Sequence, residues 1–192
     1  MVMSTARPAA RTRLLRAAEE MLFDRGIRAT PVDDLLRRAE VSAASLYTHF
    51  GSKESLVAEA LRVRLAEWRA VWDRHVVDAD DDIGRLLAIF DALAAYRDDS
   101  ESPARWCAFL ATATEFAEPT DEIGEMLAAD SDLLAERLLH LAKPVAGPNA
   151  QDLADDVLTA YNGTLAGFLR GRPSSPIEVG RRVARSAALS YR

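Results

Sequence analysis

The sequence predicts an all-α protein. Apolar residues recur at the three- and four-residue spacing of amphipathic helices along most of the 192-residue chain. Residues typical of helix starts and stops interrupt that spacing, and no hairpin signal is present; Val76–Val77 is too short for a strand. We therefore expect about nine helices, three of them in an amino-terminal domain over residues 1–55 and the others in a helical domain over residues 56–192.

The first helix is predicted from Ala9 to Arg25. Its apolar positions follow helical spacing: Leu14, Leu15, Ala18, Met21 and Leu22. Gly26 is expected to follow the helix in a Schellman motif, which would place Ile27 against Leu22.

The second helix is predicted to start at Thr30 and to end near Ala39. Thr30 is a candidate N-cap, Pro31 stands at the first helical position, and Asp33 stands where a capping-box acid would lie. A tight turn should then lead to Ser42, the predicted cap of the third helix.

The third helix, Ser42–Phe50, carries few residues suited to a core. Leu46 and Phe50 lie four residues apart and can face inward. The remaining positions are small or polar around one tyrosine: Ala43, Ala44, Ser45, Tyr47 and Thr48. A short helix with an anchored back and a small, hydrogen-bonding front is suited to the major groove of DNA.

Six further helices are predicted after Gly51. The fourth helix is expected from Ser52 to about His75, the fifth around Ile83–Leu93, and the sixth from Ser102–Pro103 to before Pro119. The seventh is expected from about Thr120 to Ala142, with a stop at Pro144, and the eighth from about Asn149 to Arg170, with Gly171 past its end. The ninth should follow a capping box at Ser175–Glu178.

Charge is unevenly distributed along the chain. The formal net charge is -6. Residues 1–55 hold nine basic and seven acidic residues, a balance of +2, which leaves -8 for the remainder. A mildly basic amino-terminal part beside an acidic remainder suits a protein that touches DNA at one end only.

The sequence also predicts a cytoplasmic location. Its single cysteine, Cys107, excludes a disulfide within the chain and fits a reducing compartment; a small buried side chain is its simplest role. The first residues contain no apolar signal segment. No apolar run approaches the ~20 residues of a membrane span.

Many spaced residues of the amino-terminal segment resemble the DNA-binding domain of tetracycline-repressor (TetR) family regulators. The resemblance covers about Arg11 to Leu61 and rests on Arg11, Leu14–Leu15, Ala17–Ala18, Leu22–Phe23, Gly26, Thr30–Val32, Ala39–Ser42, Ser45–Tyr47, His49–Phe50 and Ser52–Lys53. Two positions depart from the family pattern, because Glu40 stands where Gly is usual and Leu36 where a small residue is common. The rest of the chain matches the family in length and helical character.

The resemblance implies a homodimeric transcriptional regulator, most simply a repressor, that binds a palindromic DNA operator and is released by a small-molecule effector. Phosphate contacts are expected from Thr30, Tyr47, His49 and Lys53. The charge of Lys53 in the first turn of the fourth helix opposes the helix dipole, which favours a role such as meeting a phosphate. Ser42 begins the helix that reads the DNA, and base edges should meet Ala43, Ala44, Ser45 and Thr48.

The effector is expected in a largely apolar cavity of the helical remainder. Aromatic residues gather there, and such cavities are mostly apolar with a few polar groups. The candidates are Trp72, Trp106, Phe109, Tyr161 and Asn162.

The dimer is expected through the eighth and ninth helices. Gly163, Gly167 and Gly171 form a small-residue stripe that would allow another helix to approach closely. The resemblance implies that this helix is a second subunit's, whereas the stripe alone is equally compatible with packing inside one subunit.

Two other functional classes stay open at the level of sequence. One is a helical ligand-binding or partner-binding protein without DNA recognition. The other is an all-helical enzyme, for which no GxSxG, P-loop or GxGxxG motif gives positive evidence.

No metal or cofactor is expected. Asp78, Asp80 and Asp82 imitate the start of a calcium loop, but Ile83 stands where that loop needs Gly. His49, His75 and His140 lack the spacing of metal ligands.

Overall fold

A computed structural model describes residues 9–98 and 107–191. Within these ranges the protein is all-α, as the sequence predicts, with no strand. The helices are α1 (Ala10–Arg25), α2 (Val32–Ala39), α3 (Ala43–Phe50), α4 (Lys53–Val77), α5 (Asp82–Asp98), α6 (Ala108–Glu115), α7 (Asp121–Ala146), a short 3-10 helix (Gly147–Asn149), α8 (Ala150–Arg170) and α9 (Pro176–Ser190).

The chain forms two compact units. The amino-terminal unit consists of Met1–Val63 and Ala108–Met126, and the carboxy-terminal unit of Arg64–Cys107 and Leu127–Arg192. The predicted division after residue 55 followed the order of the chain. The units of the structure are instead discontinuous, because α6 joins the amino-terminal unit from a distant part of the sequence.

The core of the amino-terminal unit is built on α1, which contacts α2, α3 and α6. Leu14 and Leu22 of α1 and Leu35 of α2 are fully buried, and Leu46 of α3 is 1% exposed. Burying one such leucine contributes about 1.5–3 kcal/mol. Three short helices therefore form a packed unit around a few large side chains.

The end of α1 differs from the predicted Schellman motif. Gly26 has a φ of +100°, and its N–H donates to the Leu22 carbonyl at 3.0 Å. In a Schellman motif the next N–H would also bond back to the helix. Here the Ile27 N–H donates to Glu115 Oε1 at 2.9 Å, so a residue of α6 replaces the second bond.

The predicted cap of α2 at Thr30 is wrong by one residue. The N-cap is Pro31, and the helix begins at Val32 with no side-chain capping bond. The Thr30 hydroxyl points back and donates to the Gly26 carbonyl at 2.8 Å. Because that side chain is only 2% exposed and is used there, it cannot cap the amides of α2.

The turn between α2 and α3 keeps its left-handed residue without glycine. Glu40 has φ 51° and ψ 50°, a conformation that costs a non-glycine residue roughly 1–2 kcal/mol. Arg13 of α1 offsets part of this cost. Its Nε donates to the Ala39 carbonyl at 2.8 Å and its Nη2 to the Glu40 carbonyl at 3.2 Å. The turn is thereby tied to α1.

Two helix ends in the carboxy-terminal unit also differ from the prediction. Pro144 lies inside α7, which continues to Ala146. Pro144 has no N–H to donate back to the helix, and α7 continues for only two residues before Gly147, whose φ is +53°. At the start of α9, Ser175 makes no side-chain capping bond, so the predicted capping box is absent although Pro176 is the first helical residue.

The end of α8 is as predicted. Gly171 adopts the left-handed conformation, and its N–H donates to the Phe168 carbonyl at 3.3 Å. The first part of the sixth predicted helix, at Ser102–Pro103, lies outside the described residues.

Candidate nucleic-acid interface

The third helix is fixed in place by a few interactions. Ser42 caps it, with Oγ accepting the Ser45 N–H at 3.3 Å. Leu46 is the one fully buried side chain of α3, and Phe50 is half-buried. The Arg11 guanidinium of α1 lies 5.5 Å from the centre of the Phe50 ring. The back of α3 is therefore held by α1, and the cap defines where the helix begins.

The opposite face of α3 is open. The Tyr47 side chain is 59% exposed, an unusual position for a large aromatic residue in a helix. The other exposed residues of this face are Ser42, Ala43, Ala44, Thr48 and His49, and Ser45 is half-buried beside them. This arrangement agrees with the surface that the sequence predicts for the third helix.

Two of the expected phosphate-contacting residues, Lys53 and Thr30, form hydrogen bonds within the amino-terminal unit. The Lys53 ammonium donates to the Ile27 carbonyl and, at 2.6 Å, to the Thr30 carbonyl. Burial lowers the pKa of Lys53, and the nearby charges of Glu54 and Glu115 act in the opposite direction. The buried Thr30 hydroxyl bonds to Gly26. These two side chains therefore hold the α1–α2 loop.

The surface of α2 carries further cations that are not among the predicted DNA contacts. Arg37 pairs with Asp34 within the helix, and Arg38 pairs with Glu20 of α1 at 2.6 Å. Both arginines are exposed. In the preceding loop, the Arg28 guanidinium lies 5.2 Å from the centre of the Phe116 ring. No sequence motif marks Arg28, and its exposed charge in this loop adds to the basic character of the unit.

The structure brings together two of the expected effector residues. Trp72 and Tyr161 both contact Trp68 in the carboxy-terminal unit, at ring-centre distances of 5.8 and 6.1 Å. Phe109 is buried on α6 in the amino-terminal unit. Asn162 is exposed on the outer face of α8, because it lies one residue and about 100° around the helix from buried Tyr161. Trp106 lies outside the described residues.

A few polar groups lie in this aromatic cluster. Trp72 Nε1 is buried and has no hydrogen-bond partner among the described residues. Burial raises the pKa of Asp130 to about 7. Burial raises the pKa of Tyr161 as well, and the charges of Cys107 and Asp130 act in the same direction. The cluster is therefore mostly aromatic and contains few polar atoms.

The described part of the chain contains neither a candidate metal site nor a candidate membrane-spanning helix. Over residues 9–98 and 107–191, His, Cys, Asp and Glu side chains nowhere gather in a group of three that could hold a metal ion. No helix in those ranges combines the length and apolar character that crossing a membrane requires.

These three helices define a helix-turn-helix domain, because the third is anchored by one buried leucine and presents Tyr47 and small or polar side chains on its exposed face. Residues 14–60 match the family model described as "Bacterial regulatory proteins, tetR family". Over these residues the chain is similar to this family.

Curated relatives match parts of the chain. The transcriptional repressor KstR2 of Mycobacterium tuberculosis is 41% identical over 83 residues, which are 43% of this chain and 41% of that protein. This chain thus spans about two fifths of that relative's length. The transcriptional activator FasR of Mycolicibacterium smegmatis is 28% identical over 144 residues, which are 69% of this chain and 65% of that protein.

Solved structures extend the likeness of fold to nearly the whole chain. A TetR-family transcriptional regulator from Streptomyces coelicolor superposes with a TM-score of 0.85 and 22% identity, covering 95% of both chains. A TetR transcriptional regulator from Legionella pneumophila gives a TM-score of 0.78 with 20% identity, over 95% of this chain and 98% of that one.

Proposed function

We propose that this protein is a DNA-binding transcriptional regulator that acts as a homodimer on a palindromic operator and loses DNA affinity when a small molecule binds. The observation that carries the proposal is the α3 face, which is exposed at Tyr47 and neighbouring small residues while only Leu46 is fully buried. Repression is the expected sign of regulation, because KstR2, the relative with the higher identity, is named a repressor.

The proposed DNA contacts are those predicted residues that face outward. Ala43 and Ala44 offer methyl groups that suit thymine methyls, and Ser45 and Thr48 can each make a single hydrogen bond to a base edge. Tyr47 and His49 are placed for phosphates, and Ser42 lies at the start of the helix. No bidentate base reader is present in this set, so phosphate contacts and DNA shape should supply much of the affinity.

The change Tyr47→Phe should weaken DNA binding without weakening the fold. The exposed hydroxyl is proposed to donate to a phosphate, and losing one hydrogen bond to a charged group costs about 1.5–3 kcal/mol of binding. The affinity can be measured by fluorescence anisotropy with a duplex that the wild-type protein selects from a random-sequence pool. The melting temperature measured alongside should stay that of the wild type.

The matched control is Tyr191→Phe, which also removes one tyrosine hydroxyl. That hydroxyl donates to Asp156 in the carboxy-terminal unit at 3.0 Å. The control should bind the selected duplex as the wild type does. Unchanged affinity of Tyr47→Phe would contradict the proposed contact. Failure of the wild type to select any duplex would favour the alternative, a helical ligand-binding or partner-binding protein without DNA recognition.

The proposed dimer interface is the outer face of α8 and α9. Large apolar side chains are half exposed there: Leu169 and Val183 at 52% each and Leu189 at 49%. A β-carbon added at Gly163 would meet nothing within 4 Å, so this part of α8 offers room for a partner helix. Gly167 belongs instead to packing within the chain, because a β-carbon there would lie 3.0 Å from the Pro176 β-carbon.

The change Val183→Asp should dissociate the dimer. A carboxylate in an apolar interface would be buried without a partner, which should raise the dimer dissociation constant at least about tenfold, or 1.4 kcal/mol. Sedimentation velocity at micromolar concentrations measures this. The control is Val77→Asp at the end of α4, where the valine is 81% exposed, and it should leave the dimer intact. A dimeric Val183→Asp protein would move the interface elsewhere.

The proposed effector is a small, largely apolar molecule that binds near Trp72 and Tyr161. Its effect on DNA binding would arise from a higher affinity for a conformer that does not fit the operator. The curated relatives are named a transcriptional repressor and a transcriptional activator, so an enzymatic role has no support from them. We propose a cytoplasmic location, where the DNA is accessible.

A further inference from the structure

The α1–α2 loop is held by a carboxylate from a distant part of the sequence. Glu115, the last residue of α6, accepts two consecutive backbone N–H groups. Ile27 donates to its Oε1 at 2.9 Å and Arg28 to its Oε2 at 2.8 Å. Each oxygen thus has its own donor. Hydrogen bonds to an ionised carboxylate are about twice as strong as neutral ones, so this is a strong attachment for a short loop.

Lys53 holds the same loop from its carbonyl side. Its ammonium donates to the carbonyl groups of Ile27 and Thr30. The peptide groups of residues 27–30 are therefore bound by an anion at their N–H groups and by a cation at their carbonyl groups. The two side chains also act on each other, because the charge of Glu115 favours the protonated form of Lys53 and opposes the lowering of its pKa by burial.

This loop determines how α1 meets the two following helices. It leaves α1 through Gly26, whose φ of +100° is open to glycine and strained for other residues. Ile27 is 2% exposed, so the loop is anchored by a buried side chain as well. The loop then enters α2 at Pro31, and α1 packs on both α2 and α3. A shift of the loop would therefore change the position of α3 against α1.

We propose that Glu115 is a positioning residue for DNA binding: by binding the two N–H groups of the α1–α2 loop, it sets the placement of α3 although it lies on neither helix of the helix-turn-helix. This inference rests on the proposed DNA-binding function. It also implies that the DNA-contacting unit is incomplete without α6. This helix comes from a distant part of the chain, because Glu115 lies 88 residues after Ile27.

The test is Glu115→Gln in the full chain, with Glu118→Gln as the matched control. A glutamine side chain in place of Glu115 can accept one N–H through its oxygen, but its amide nitrogen is a donor and cannot accept the other. Glu118 is exposed in the same unit and makes no hydrogen bond with a described residue. Both changes remove one negative charge from the DNA-binding unit, which by long-range electrostatics should strengthen DNA binding slightly.

The expected result has three parts. Hydrogen exchange followed by NMR should be at least about tenfold faster at Ile27 or Arg28 in Glu115→Gln. Affinity for the duplex selected by the wild type should fall about tenfold, opposite in sign to the charge effect, whereas Glu118→Gln binds at least as tightly as the wild type. The slope of log affinity against log salt should be unchanged, because loss of a phosphate contact would reduce it by about 0.9.

Several outcomes would overturn the inference. They are equal affinities for the two glutamine variants, a salt slope reduced by about one, or unchanged exchange at both amides. If Glu115→Gln is unfolded at the assay temperature, Glu115→Asp replaces it, since it keeps the charge but shortens the reach by one methylene. Wild-type affinity in that variant also overturns the inference. Failure of the proposed function is recognised separately, because then the wild type selects no duplex.

Discussion

The change Gly180→Ala should cost the protein roughly 3 kcal/mol of stability or more. A β-carbon at this position of α9 would lie 2.0 Å from Thr164 Oγ1, 2.9 Å from Phe90 Cε1 and 3.2 Å from the Ala160 carbonyl oxygen. Thr164 cannot easily yield, because its buried hydroxyl already donates to the Ala160 carbonyl at 2.9 Å. Relief of the clash therefore requires α9 to move away from α8 and α5.

Differential scanning calorimetry should show this loss as a fall of about 6–12 °C in melting temperature. The control is Gly124→Ala in α7, where the nearest atom to an added β-carbon is Pro119 Cγ at an ordinary 3.6 Å. That helical substitution should instead stabilise by about 0.5–1 kcal/mol. A Gly180→Ala protein that melts with the wild type would show that α9 is not packed on α8 as closely as described.

The change Asp130→Asn should stabilise the protein above neutral pH. Burial raises the pKa of Asp130 to about 7 in the folded protein, against an ordinary value of 3.8. Well below its ordinary pKa of 3.8 the carboxyl is neutral in both the folded and the unfolded state, and it has no pH-dependent effect. As the pH rises from about 4 to about 7, only the unfolded state loses its proton, so the folded state becomes progressively less stable.

The size of this effect follows from the same numbers. A difference of about three pKa units corresponds to roughly 4 kcal/mol once the pH is above about 7. The stability difference is measured by urea unfolding of the wild type and Asp130→Asn at about pH 4.5 and about pH 8. These two pH values lie on either side of the sequence pI of about 5.2. The advantage of the variant should be several kcal/mol larger at the higher pH. Equal differences at both pH values would mean that Asp130 is ionised and solvated in the folded protein.

The helices themselves could be predicted from local patterns, because apolar spacing and caps lie within a few residues of one another. The start of α3 at Ser42 and the end of α8 before Gly171 are confirmed to the residue. Side-chain capping by Thr30 and Ser175 is harder to predict: Thr30 lies one residue before the N-cap of α2, and Ser175 is the N-cap of α9 but makes no side-chain capping bond. Both residues are good caps, but whether a hydroxyl points forward to the helix or elsewhere depends on its surroundings.

In the candidate site, too, features that depend on neighbouring residues could be predicted, and those that depend on distant residues could not. The exposed and buried faces of α3 follow from the spacing of Leu46 and Phe50, which is local information. The inward role of Lys53 could not be predicted, because its acceptors lie 23 and 26 residues earlier in the chain. Glu115 lies 88 residues from Ile27, and a single glutamate near the end of a helix carries no signal of such a partner.

The way α3 is anchored has a consequence for how this protein could change during evolution. Folding depends on Leu46 and the Ser42 cap, whereas the outward positions at Ala43, Ala44, Tyr47 and Thr48 contribute little to the core. If α3 reads DNA as proposed, mutations at those positions can alter the preferred DNA sequence while the folded population stays constant. Under that proposal, the preferred DNA sequence and the stability of the fold can change independently, so a duplicated gene could acquire new target promoters without passing through an unstable intermediate.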